Sequence, residues 1–321
     1  MSIIDIPQLG MTVIAVRVII WTFQRKPYQR IHRFSHLSLT YSQILLDAAD
    51  LTFNFRGIGW SWSHLPNPPP EPRSSSTFFF HTLISFLFYV VLSDITHRFL
   101  QNFDPNTIGS PVGGTIFDLS LPPLRRYSRS TLITFFSCFM MYCIIETGYL
   151  FATLFSLLFL YQSPSQWPPI FDRPWLSTSI SQFWSKRWQQ LFREIFVSFG
   201  GNTLALFIGR VGAILGAFFV SGIVHAFGLW GLGRGGEFIK VIGFFVMMGV
   251  GILLEYSWKK LTGSRVDGFF GRVWTFVWLL TWGHFLVEAW STKGLLGSAF
   301  LPDGYRPSDY IFAMVDHELL K

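Results

Sequence analysis

Hydrophobic and polar residues fall along this chain in long blocks, and the blocks predict membrane helices. Thr77 to Leu92 is almost uniformly apolar and is closed by Asp94, His97 and Arg98, the pattern of a transmembrane helix. Thr131 to Tyr161 stays apolar for longer than a bilayer needs at about 1.5 Å per residue, so it predicts one tilted, kinked span or two helices meeting around Glu146 and Gly148. Three more blocks read as spans: Val211 to Trp230, Phe238 to Trp258 with Glu255 near its end, and Val273 to Trp290 with His284 and Glu288. Gly10 to Phe23 is shorter and interrupted by Arg17, which suits a tilted or interfacial anchor. In Tyr41 to Phe55 the residues Ile44, Leu45, Ala48, Ala49 and Leu51 recur at partly helical spacing with Asp47 and Asp50 among them, predicting an amphipathic surface helix.

The polar blocks divide these elements. RGIGWSW, Arg56 to Trp62, combines glycines that permit a tight path with tryptophans that favour the headgroup level, and the proline run Pro66 to Pro72 cannot be helical. Gln101 to Arg129 is rich in Pro, Gly and Asp and predicts a loop with a short helix at Thr115 to Leu119. A proline-rich loop, Ser163 to Pro174, precedes Ser177 to Arg193, where Phe183, Trp184, Trp188 and Phe192 interleave with Lys186, Arg187 and Arg193. That pattern predicts an interfacial helix with snorkelling cations. Glu194 to Ile208 is apolar but broken by Gly200, Gly201 and Asn202, as in a re-entrant hairpin. The expected fold is an all-α polytopic membrane protein of about six to eight transmembrane or re-entrant helices, without internal repeats.

Composition agrees: half the residues are hydrophobic and 13% charged, which excludes an ordinary soluble domain. The 36 Phe and 13 Trp suit lipid-facing surfaces, interfacial belts and a cavity for a bulky apolar substrate. Net charge is +7, carried in short segments: Arg25, Lys26, Arg30 and Arg33, then Arg125, Arg126 and Arg129, then Lys186, Arg187 and Arg193. Such loops face anionic headgroups, although they flank spans on both sides and so leave the orientation open. No basic stripe lies outside a hydrophobic context, which argues against nucleic acid. Cys138 and Cys143, five apart in one apolar block, point to different helical faces and cannot bridge within it, and no zinc-type spacing occurs. MSIIDIPQLG lacks the basic start of a signal peptide, so the first apolar segment is expected to be retained.

The candidate chemistry centres on FFVSGIVHAFGLW, Phe218 to Trp230, an apolar stretch with His225 at its middle. An imidazole among Phe219, Val220, Ile223, Val224 and Phe227 is costly in hydrocarbon unless it faces a polar cavity, bonds a neighbouring helix or does chemistry. His284 and Glu288 are four apart, on one helical face, and are expected to pair near the membrane surface.

Three motifs then resemble the fungal wax-synthase-like branch of the membrane-bound O-acyltransferases. RGIGWSW looks like the branch's RGIGWNW signature, SISQFWSKRWQQLFR is similar to its S-x-x-x-FWGRRWHQ-x-(F/L)R box, and FFVSGIVHAFG is similar to its S-G-(I/L/V)-x-H segment. With the HF-x-x-E-x-W-like ending at His284 to Trp290, the resemblance covers roughly Thr52 to Trp290 and divides the chain into an N-terminal anchor and amphipathic segment, 1–55, a membrane core, 56–290, and a polar tail, 291–321. It implies acyl transfer from acyl-CoA, with acetyl-CoA the expected donor, to a hydroxyl of a hydrophobic small molecule such as a terpenoid or polyketide, in a tunnel within an endoplasmic-reticulum bilayer, with no metal. His225 takes the place of the family's catalytic histidine. Gln189 takes the place of a polar residue that is His or Asn in relatives, and an amide keeps its hydrogen-bond donors but cannot act as a base. An attacking alcohol must lose its proton, which a neutral imidazole accepts, while the oxyanion needs donors such as Gln189 or Asn202. Trp184, Lys186, Arg187, Trp188 and Arg193 are the candidates to hold acyl-CoA, the cations for its phosphates. The alternatives are long-chain wax ester synthesis, a non-catalytic relative, and a membrane terpene cyclase, whose intramembrane acids would be Glu146, Glu255 and Glu288. Relatives in this branch often carry additional N-terminal helices, whereas about one segment precedes RGIGWSW here.

Overall fold

The computed structural model describes residues 7–24, 26–31, 40–63, 71, 73–302 and 304–311. Arg25, Arg33, Pro66 to Pro72 apart from Glu71, and residues 303 and 312–321 of the expected polar tail lie outside the described residues. The helices are α1 (Pro7–Thr22), α2 (Tyr41–Phe53), α3 (Ser75–Phe103), α4 (Pro123–Phe159), α5 (Ile180–Gln182), α6 (Arg193–Ile195), α7 (Asn202–Trp230), α8 (Phe238–Thr262) and α9 (Gly268–Thr292). Among the described residues, four stretches are long and apolar enough to cross a membrane: α3, α4, Arg193–Trp230 and α8. At 25 residues α9 equals α8 in length, although Arg272, His284 and Glu288 lower its hydropathy. This is the all-α membrane architecture that the block pattern predicts.

Several elements differ from expectation for physical reasons. Of the two alternatives for the long apolar block, the single span forms, as one continuous helix, α4, of 37 residues, with no break at Gly148, which is exposed and has nothing within 4 Å of its Cβ position. Residues 115–119 are not helical, because Glu288 on α9 accepts hydrogen bonds from the Ile116 N–H at 2.9 Å and the Thr115 hydroxyl at 3.2 Å and holds that loop extended. Glu288 therefore does not pair with His284, whose Nε2 lies 3.2 Å from the Thr131 hydroxyl on α4. α2 forms as expected but with its faces reversed for a soluble protein. Ile44, Leu45, Leu46 and Phe53 point outward, while Asp47 and Asp50 turn in to Arg30 at 2.8 and 2.9 Å, as suits a helix resting on a bilayer.

The re-entrant hairpin exists, with its turn elsewhere. The glycines at 200 and 201 sit inside a π-helical stretch, Phe196–Gly201, and the chain reverses at Ile208 (φ −131°, ψ 25°) and Gly209 (φ 56°, ψ −136°), the second a conformation suited to glycine. The two arms then pack through small residues: Gly200 lies against the Gly216 carbonyl, Gly212 against that of Leu204, and Gly201 against that of Ala213. Without a hydrophobic driving force between helices in lipid, such close backbone approach is how membrane helices associate. The arm before the turn is too short to span a bilayer, so it returns to the end of the bundle at which it started.

Candidate active site

The hairpin determines where His225 lies. Counting back from the turn, the 225 level of the second arm meets the start of the first, and the His225 ring is 6.2 Å from that of Phe196 and 4.4 Å from Phe245 on α8. Beside it Ile195, Val220 and Val224 form a buried cluster with Val13 of α1. His225 Nδ1 lies 2.8 Å from the Ser221 backbone carbonyl. A carbonyl can only accept, so Nδ1 carries the proton and Nε2 keeps its lone pair. His225 is half-buried and makes no other hydrogen bond among the described residues.

The aromatic and cationic box meets His225 through a shared neighbour, Phe245. Instead of one interfacial helix, Ser177 to Arg193 folds as α5, a π-helical turn Phe183–Arg187, and an extended residue at Trp188 (φ −79°, ψ 159°). Its aromatics point into the bundle: Trp184 packs 5.8 Å from Phe218, 6.4 Å from Phe244 and 6.2 Å from Phe245. Phe245 thus touches both His225 and Trp184. The box is pinned at its start by Glu255, whose carboxylate accepts from the Ile180 N–H at 2.6 Å, the Ser181 N–H at 3.0 Å and the Trp274 indole at 3.1 Å. Close by, the Thr178 hydroxyl and the Gly268 N–H hold the Asp267 carboxyl below the usual carboxylate range.

Unwound backbone at membrane depth needs partners from the protein. Gln190 supplies them, donating its amide to the Trp184 and Trp188 carbonyls at 2.9 and 2.7 Å. Gln189, at the break, accepts from the Leu191 N–H at 2.8 Å through Oε1, which leaves its NH₂ group for another acceptor. Four buried polar atoms of the box, Ser177 Oγ, Trp184 Nε1, Arg187 Nε and Gln190 Oε1, have no protein partner among the described residues, a circumstance that in a native protein asks for a ligand or water.

The remaining sequence candidates separate. Lys186 and Arg193 are exposed. Arg187 is engaged by the preceding loop, with Nη1 3.0 Å from the Asp172 carbonyl and 3.5 Å from its carboxylate. Trp188 stacks on Phe183 at 5.2 Å and packs edge-on to Phe171 at 4.8 Å. Asn202 does not join the site: it is exposed on the first arm, in register with Ala213 to Ala217 and roughly two helical turns or more from His225. Sequence reasoning passed over Gln190, the neighbour of the residue it chose, and the anchoring role of Glu255, whose only sequence signal is a lone carboxylate near the end of an apolar block.

Residues 167–247, which run from the loop before the box through the hairpin into α8, match the profile of the membrane bound O-acyl transferase family. The chain is a relative of that family. The acetyltransferase eriL of Hericium erinaceus is 27% identical over 233 residues, 67% of this chain and 57% of its own. The acetyltransferase spyB of Aspergillus fumigatus is 24% identical over 263 residues, 73% of this chain and 44% of its own. A long-chain-alcohol O-fatty-acyltransferase of Simmondsia chinensis is 34% identical over 110 residues, 30% of each chain. The chain thus spans about half the length of the fungal acetyltransferases it matches. The stretch matched to the O-acyl transferase family contains both His225 and the whole box.

Proposed function

We propose that this protein is a membrane O-acyltransferase that moves an acetyl group from acetyl-CoA to a hydroxyl of a hydrophobic small molecule, such as a terpenoid or polyketide, in the endoplasmic-reticulum membrane. The observation that carries the reading is the fixed tautomer of His225: Nδ1–H is committed to Ser221, so Nε2 is the one basic atom offered beside the box. The acceptor hydroxyl gives its proton to Nε2 as its oxygen attacks the thioester carbonyl carbon. The tetrahedral oxyanion is met by the Gln189 NH₂ group and the Trp184 indole N–H, aimed donors in a water-poor setting. As the intermediate collapses, the C–S bond breaks and the imidazolium returns the proton to the departing CoA thiolate. Arg193 and Lys186 are the free cations for the CoA phosphates, and the acceptor alcohol enters from the bilayer through a tunnel among the aromatic helices.

The cyclase alternative is weakened by its own candidate acids. Two of the three, Glu255 and Glu288, are already occupied as acceptors of backbone N–H groups, so they hold the box and the 115–116 loop in place instead of facing a substrate. A wax-ester-forming activity stays as the second reading, favoured by the Simmondsia chinensis relative.

The test follows label from acetyl-CoA into a panel of alcohols in membranes with matched expression. His225→Ala should lower turnover by about a hundredfold to ten-thousandfold, and Gln189→Ala by no more than about a thousandfold. Gln189→His, a planar donor of similar reach, should retain activity. An active His225→Ala protein removes the base, and an inactive wild type beside an active Gln189→His protein means a degenerate relative.

A further inference from the structure

Five carboxylates lie on the long helices and membrane-length stretches around the box, and four have partners, Glu194 accepting from the Ser198 hydroxyl at 2.8 Å. Glu255 and Glu288 hold backbone N–H groups, and Asp94 holds the Arg306 guanidinium and the Ser308 N–H, both at 2.8 Å. Glu146, on α4, has no hydrogen bond or ion pair among the described residues. A carboxylate within a membrane helix is costly to leave unserved.

Its direction follows from helical spacing. Tyr142, Glu146, Tyr149 and Thr153 fall on one face of α4. Tyr142 is 7% and Thr153 2% exposed, whereas Gly148, Phe151 and Phe155 on the opposite face are exposed. Glu146 therefore points into the protein. Around it the Tyr142 and Tyr89 hydroxyls are 3.1 Å apart, and the Tyr149 hydroxyl bonds the Pro168 carbonyl at 2.6 Å and receives Arg56 Nη1 at 3.1 Å. All three phenols are within electrostatic reach of the Glu146 carboxylate. This face also meets the box: Trp188 and Leu191, on either side of Gln189 and Gln190, pack against the cluster of Tyr142, Cys143, Ile170 and Phe171.

We propose that Glu146 is a specificity residue for the acceptor, taking a second hydroxyl of the substrate, remote from the one acylated, on the polar face formed with Tyr89 and Tyr142. The inference rests on the acyltransferase reading above and names its acceptor as a diol or polyol instead of a plain alkanol. A hydroxyl suits this face because a carboxylate accepts its proton while the neighbouring phenols donate to or accept from its oxygen. A cationic group is disfavoured by Arg56 on the adjoining tyrosine. The reacting hydroxyl is held at His225 on one flank of the box and the second at Glu146 on the other, so the distance between them selects the acceptor.

The test uses a long-chain alkanol series and the corresponding terminal diols, from hexanediol to dodecanediol, with detergent-solubilised full chain. Two quantities are read: direct binding of radiolabelled alcohol, and acetyl transfer. Wild type should prefer diols over alkanols, with an optimum at one chain length. Glu146→Ala should reduce that preference by about tenfold or more, the scale of one hydrogen bond to a charged group, and Glu146→Gln, which keeps the shape and an acceptor oxygen, by less. Equal preference in wild type and both variants overturns the proposal. Binding separates it from the parent reading. Glu146-dependent diol binding without acetyl transfer leaves this site standing and refutes the transferase, whereas acetyl transfer with a preference that ignores Glu146 refutes this site alone.

Discussion

Gly216→Ala tests whether the hairpin places His225. A methyl at Gly216 meets the Gly200 carbonyl oxygen head-on, with the Gly200 carbonyl carbon and Leu204 Cβ both at 2.9 Å, where ordinary contact begins at 3.4 Å. Most of what it meets is backbone, so no rotamer change relieves the clash. To clear it the arms must part by about 1 Å, an overpacking that costs about 1–3 kcal/mol. One turn from Gly200 on the same arm stands Phe196, against which His225 is placed. Displacing a reacting group by about 1 Å costs on the order of a hundredfold in turnover. Acyl transfer in membranes at matched expression and the thermal unfolding midpoint in detergent would both be measured, and both should fall. The control is Gly243→Ala on α8, where the Cβ position has nothing within 4 Å and added helix propensity is worth up to about 1 kcal/mol. If Gly216→Ala matches wild type in turnover and midpoint, the close-packed hairpin is not what holds His225.

Two further outcomes concern the box. Glu255→Ala orphans two backbone N–H groups and an indole N–H, so stability should drop by at least about 3 kcal/mol, with Glu255→Gln milder; an unchanged unfolding midpoint in both would show that the box is held by packing alone. Arg193→Ala should raise the KM for acyl-CoA several-fold, with the effect shrinking as salt is added because the residue is exposed; a KM that stays put would remove Arg193 from the CoA side.

What the sequence makes legible is what period and composition encode. The apolar blocks give α8 and α9 close to their observed bounds and the start of α3, which continues to Phe103 through the Asp94, His97 and Arg98 expected to close it, and the interleaved box and His225 announce themselves by residue type. Turns inside apolar segments are less legible: Gly200 and Gly201 look like breakers but serve as packing surfaces, while the reversal falls at Gly209, which is as plain a glycine in sequence as its neighbours. The same ambiguity leaves one span or two open around Glu146 and Gly148, and one forms, since a glycine facing outward on a membrane helix leaves its hydrogen bonds intact. Contacts between distant elements leave no local trace. Nothing near His284 or Glu288 says that they reach Thr131 and the 115–116 backbone instead of each other, and nothing in the box says that a carboxylate two helices later will cap it.

That last contact also constrains how the protein is made. Glu255 lies 75 residues after the Ile180 N–H that it accepts, and at about 5–20 residues per second a ribosome takes roughly four to fifteen seconds to deliver it. Until then the box has been synthesised but lacks the acceptors for its first turn, and the short hairpin arm after it is a poor candidate for independent insertion. The candidate site is therefore assembled late, when α8 enters the membrane and docks. A chain that stalls between the hairpin and α8 presents an unanchored, aromatic-rich segment at the bilayer, the kind of surface that membrane quality control detects.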